Sequence, residues 1–107
     1  MIPINKIEAI VAKHHDLEKE LSAGNVDPKY FAKKSKEYSD LNNIIDYARN
    51  YIKFDEEKKD LEQIVNNKND DQEMVILAEK ELETIEKKKI NYENKLKIFL
   101  LPKDKDD

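Results

Sequence analysis

Apolar residues fall at Ile7, Ile10, Val11, Leu17 and Leu21, with His14 on the same line, three and four positions apart. That spacing marks one face of a helix. Asn5 stands ahead of it as a cap, with Glu8 three residues later and Ile4 just outside as a staple. Gly24 supplies a left-handed stop. The pattern predicts a helix over about residues 5–22.

Asp27-Pro28 is a second start signal, a capping carboxylate followed by proline in the first turn. The stripe behind it runs through Phe31, Ser35, Tyr38, Leu41, Ile45, Ala48 and Ile52, widened by Ile44 and Tyr51. It slips near Phe54 and resumes at Leu61, Ile64 and Val65. No glycine or proline interrupts it, so the reading is one helix over about residues 28–66, about 57 Å long. "NNKNDD", Asn66 to Asp71, breaks the pattern; Asp70 or Asp71 can cap the next helix, and Asp70 with Glu73 makes a capping box. The third stripe carries Met74, Leu77, Ala78, Leu82, Ile85, Tyr92, Leu96 and Phe99, and Pro102 closes it. Its helix is expected over about residues 71–100.

These lengths predict an all-α fold. An antiparallel three-helix bundle should form near the chain ends, with helices two and three extending past about residue 50 as a coiled-coil hairpin arm. Pairing outward from the loop sets Lys53 near Glu83 or Ile85, and Tyr38 near Phe99 or Leu100. The expected core is Ile7, Val11, Leu17, Tyr38, Leu41, Ile45, Leu96 and Phe99.

Composition supports this shape. One glycine and three prolines in 107 residues cannot punctuate a sandwich or barrel. The mean hydropathy of -0.91 would suit a disordered chain, but the apolar positions are periodic rather than scattered. The length fits one domain. No apolar run is long enough for a bilayer, no leader pattern opens the chain, and there is no cysteine. A cytoplasmic protein with no membrane partner is the expectation.

Candidate chemistry is sparse. His14 and His15 have no second ligand at metal spacing, and His14 reads as a partly buried helix residue. The carboxylates read as solvated faces, and one glycine cannot build a phosphate loop. No catalytic residue, metal site, cofactor or small-molecule ligand is expected, and the chain is read as no enzyme. Charge is more informative. Between Asp55 and Glu83, eleven acidic residues face four lysines, a net of -7 against -4 for the whole chain. The arm is therefore acidic, above a mildly basic base around Arg49, Lys53, Lys87, Lys88 and Lys89. Tyr30, Phe31, Tyr38, Tyr51 and Phe54 are interleaved with lysines, but most fall on or beside the stripe and read as packing.

"LLPKDKDD" at the end, "DDQEMVILAEKEL" before its helix and "SKEYSDL" at Ser35 to Leu41 resemble the N-terminal domain of bacterial peptide chain release factors, the type that reads UAA and UAG. Leu100, Leu101, Pro102, Lys103, Asp104, Asp106 and Asp107 match that family's junction to its central domain; Lys105 departs, where the family usually has proline. The resemblance implies a helical N-terminal domain over residues 1–101. Residues 102–107 then begin a connector, through Pro102, Lys103 and Asp104, to a downstream domain. It implies that the stop-codon loop and the Gly-Gly-Gln loop lie beyond Asp107, and that the gene continues into them. It implies docking on the ribosome, at the GTPase-associated centre with stalk-base protein L11 and adjoining ribosomal RNA. The expected contact surface is the arm tip, Asn66, Asn67, Lys68, Asn69, Asp70 and Asp71. The alternative is a helical-hairpin adaptor or chaperone-like coiled coil. A tRNA-binding arm is a weaker third, since it should be basic toward its tip.

Overall fold

The structure, a computed structural model, describes residues 2–67 and 71–101. Among these residues it is all-helical: α1 Ile4–Ala23, α2 Pro28–Asn42, α3 Ile45–Asn66 and α4 Gln72–Leu100. Three of the local signals act as expected. Gly24 takes φ 70° and ends α1. Asp27 caps α2 by accepting the Lys29 N–H at 3.0 Å, with Pro28 in the first turn. Asp71 caps α4 through the Glu73 N–H. The Asn5 cap does not form. Pro3, held at φ -59°, starts α1 one residue earlier and accepts the Lys6 N–H through its carbonyl.

The expected single helix over residues 28–66 is two helices, so the described residues form four helices rather than three. The break is at Asn43 and Ile44, where the N–H groups reach back only three residues, to Asp40 and Leu41. Ile44 sits at φ -123°, outside helical geometry, and α3 begins after it. The reason lies in "LNNII". Two asparagines of low helix propensity precede two β-branched residues, and the break buries both Ile44 and Ile45. Asn42 is held from outside by a hydrogen bond that His14 Nε2 donates to its Oδ1 at 2.6 Å.

α1 packs against both α2 and α3, while α4 approaches α3 closely along its length. The molecule measures 61 × 37 × 17 Å, flat and long. Helix α1 reaches the α3–α4 pair near its inner end, where Ile7, Tyr51 and Leu96 are almost fully enclosed. Around them lie Ile2, Ile10, Leu17, Leu41, Ile44 and Ala48, with Val11 and Tyr38 packed on the edge. Ile45 is also buried. Phe99, expected in the core, is 37% exposed and borders a shallow groove with Ile10, Glu37 and Leu41. Its helix ends at Leu100, and the break before Ile45 has already turned α2 away from it.

The α3–α4 register differs from the expected one. Tyr51 faces Glu93, Asp55 faces Lys89 and Lys58 faces Glu86. Carried along, that register places residue 53 opposite about residue 91 instead of 83 or 85. The start of α4 therefore overhangs the end of α3. Met74 and Leu77, counted on the packed stripe, are consequently more than half exposed.

Candidate docking surface

Three features of the hairpin decide what it can offer a partner: a polar interior, a ring cluster and an outer end. The interior carries Lys89, expected on the solvated basic base but in fact buried. Its ammonium donates to Asp55 at 2.9 Å and lies 5.1 Å from the centre of the Tyr51 ring. The hydrogen bond from Lys89, with charge from Lys89 and Lys59, holds the Asp55 carboxyl below its ordinary value although burial opposes this. The Tyr51 hydroxyl donates toward Glu93 at 3.2 Å and toward the Ile2 carbonyl at 3.4 Å. Burial works against ionising Glu93, yet hydrogen bonds to its carboxylate, from Lys97 first, bring its pKa down on balance. Burial, then the charge of Glu93, pushes the Tyr51 hydroxyl up to about 12.

That last shift has a sign. A hydroxyl that holds its proton more tightly when folded contributes stability fully below pH 10, and loses it between pH 10 and 12. Denaturant midpoints should fall across that interval with a part, about 2–3 kcal/mol, that is missing in Tyr51→Phe. If ultraviolet titration shows all five tyrosines ionised by pH 11, Tyr51 is not held this way.

Beside this network, Tyr92 of α4 meets the edges of Tyr47 and Phe54 of α3 at 5.3 and 5.2 Å between centres. Charged pairs and rings of this kind fix one register between two helices and resist sliding.

At the outer end, Asn66 closes α3 and is exposed, and Asn67 is its C-terminal cap residue. Asp71 uses its carboxylate to cap α4. Lys68, Asn69 and Asp70 lie outside the described residues, as do Pro102, Lys103 and Asp104 of the expected connector. What the sequence did not announce is an apolar groove next to the tip. Leu61 and Ile64 form one wall and Met74 and Leu77 the other, with Glu73 and Glu81 on the rim. The overhang of α4 produces it, and the register could not be read from one chain's periodicity.

Elsewhere, His14 is buried and stacks on Tyr38 at 4.9 Å, a packed residue as its stripe position indicated. Arg49, Lys53, Lys87 and Lys88 are exposed. Among the described residues no group of three or more His, Cys, Asp or Glu is placed to hold a metal ion. None of the described helices is long and apolar enough to cross a membrane.

A family model described as the PCRF domain matches residues 10–107. Peptide chain release factor 1 of Pelagibacter ubique is 54% identical over all of this chain and 30% of its own length. The Wolbachia pipientis protein of the same name is 40% identical over 96% of this chain and 29% of its own length. That of Solidesulfovibrio magneticus is 35% identical over 92% of this chain and 28% of its own. The chain thus spans under a third of the length of these relatives. No solved structure matches it. A match across nearly the whole chain, with identity of this size, places it: the chain belongs to the family of bacterial peptide chain release factors and corresponds to their N-terminal helical domain.

Proposed function

We propose that this chain is the ribosome-docking domain of a cytoplasmic translation termination factor, and that it takes no part in the chemistry of peptide release. The observation that carries this reading is the match to peptide chain release factor 1, which covers the whole of this chain and 30% of that protein. In this reading residues 1–101 form the domain, a bundle at the chain ends from which α3 and α4 project as a coiled-coil arm. Pro102, Lys103 and Asp104 begin the connector to downstream domains that recognise the stop codon and trigger hydrolysis. The arm and its tip, residues 66–71, dock at the GTPase-associated centre, on stalk-base protein L11 and adjoining ribosomal RNA. The acidic balance of the arm favours a basic protein there over bare phosphate, so charge should act mainly on association rate and weaken with salt. The interlocked polar network supports a rigid lever rather than a loose tether.

The test shortens the arm in the full-length factor. Lys58 and Glu86 face each other at 3.8 Å, so residues 59–85 can be replaced by a short Gly-Ser link without disturbing the inner register. Peptide release is then measured before steady state over a range of factor concentrations. The half-maximal concentration should rise about tenfold, equivalent to about 1.4 kcal/mol of lost binding. The plateau rate should stay within about twofold, since the chemistry is untouched. A lower plateau with unchanged concentration dependence would mean that the arm does not dock.

A further inference from the structure

The acidic arm leaves a second, oppositely charged surface unexplained. Tyr30 and Phe31, expected to pack, are 47 and 52% exposed. They stand on the first turn of α2, about 20 Å along it from the break at Asn43. Lys29 and Lys33 beside them are exposed, and the Lys29 ammonium lies 5.6 Å from the centre of the Tyr30 ring. Lys33 and Lys34 stand three and four residues after Tyr30 and so share its face. Between Lys19 and Lys36 there are five lysines and two acidic residues, a net of +3. Asp27 caps α2, Glu20 pairs with Lys34, and Lys36 lies 4.0 Å from Asp40, so Lys29 and Lys33 carry the charge offered beside the rings. The N-terminus of α2 is thus occupied by its own cap and is not the feature that matters.

Flat exposed rings among lysines have a specific use. Ammonium groups meet phosphates, and the rings stack on bases that are free of a duplex. An acidic protein would engage the lysines and leave the rings without a flat counterpart. We propose that the aromatic and lysine surface at the start of α2 binds unpaired RNA, with Tyr30 and Phe31 stacking on bases and Lys29 and Lys33 meeting phosphates. This goes beyond the docking role of the arm, which rests on other residues and stands or falls separately.

The intact chain is titrated into a fluorescein-labelled oligouridine of ten nucleotides and, in parallel, into an RNA duplex of the same charge. The single strand should bind, and log K should fall with log salt at a slope of about -1.4, as two phosphate contacts require. Tyr30→Ala with Phe31→Ala should weaken binding at least about tenfold, the loss of one to two stacked bases. Because both side chains are about half exposed, this variant should melt only a few degrees lower and remain folded at the temperature of the titration. The chain has no tryptophan, so Tyr30→Trp introduces a single reporter whose emission should be quenched by the single strand alone. Four results overturn the proposal: no binding at millimolar chain, equal binding of the duplex, a loss below threefold in the double variant, or equal competition by a polyglutamate peptide. The last would assign the surface to an acidic protein instead.

Discussion

Leu96→Ala should lower the stability of this chain by about 3–5 kcal/mol. Leu96 has no exposed surface and belongs to the buried cluster that joins Ile7 of α1 to Ala48 and Tyr51 of α3. It comes from α4, which is otherwise committed to α3, so its loss opens a cavity where the two halves of the fold meet. Small domains hold about 5–15 kcal/mol in all, so the melting temperature should drop by at least about 12 °C. Phe99→Ala is the control. The larger side chain is 37% exposed, and its removal should cost less than half as much. Chemical denaturation of both variants decides the matter. Should Phe99→Ala prove the costlier, the centre of the core lies nearer the chain terminus than the structure puts it.

Lys89→Met is expected to cost about 2–4 kcal/mol, slightly below the range for a fully buried pair because Lys59 also lies 3.4 Å from Asp55. The cost arises less from the lost attraction than from the carboxylate left behind in partial burial. Adding Asp55→Leu should therefore recover most of it, and a double-mutant cycle measures the coupling. The acid limb reports on the same pair. Asp55 has a lowered pKa when folded, so its contribution is present above its ordinary value of 3.8 and is lost as pH falls through the folded value. In Lys89→Met that acid-dependent loss should shrink. If the single and double variants are equally unstable, the pair contributes only through packing of the lysine stem.

The polar network was partly visible in the sequence. On the third stripe Leu82, Ile85, Tyr92 and Leu96 leave one gap at helical spacing, and Lys89 fills it. Asp55 comes after Tyr51 and Ile52 on the facing stripe in the same manner. A charged residue inside an apolar stripe announces a buried partner, although not which one. The break in the second helix had a weaker trace, the pair Asn42-Asn43, because propensity alone rarely ends a helix that packing could hold straight. Of the tip, only a capping aspartate was legible: the capping-box spacing to Glu73 pointed to Asp70, whereas Asp71 is the residue that accepts the Glu73 N–H.

By itself, the sequence determined helicity, the C-terminal end of α1, the start of α2 and the start of α4, because caps, proline and glycine act within a few residues of chain. It also determined family membership, through "LLPKDKDD" and its neighbours. Only the tertiary structure decided that Lys89 is enclosed, that α4 overhangs α3, and that Tyr30 and Phe31 face outward. Periodicity fixes which residues share a face of one helix. Which faces meet, and at what height, depends on contacts between residues some 34 to 49 positions apart, such as Asp55 with Lys89 and Ile2 with Tyr51, and no local pattern encodes these.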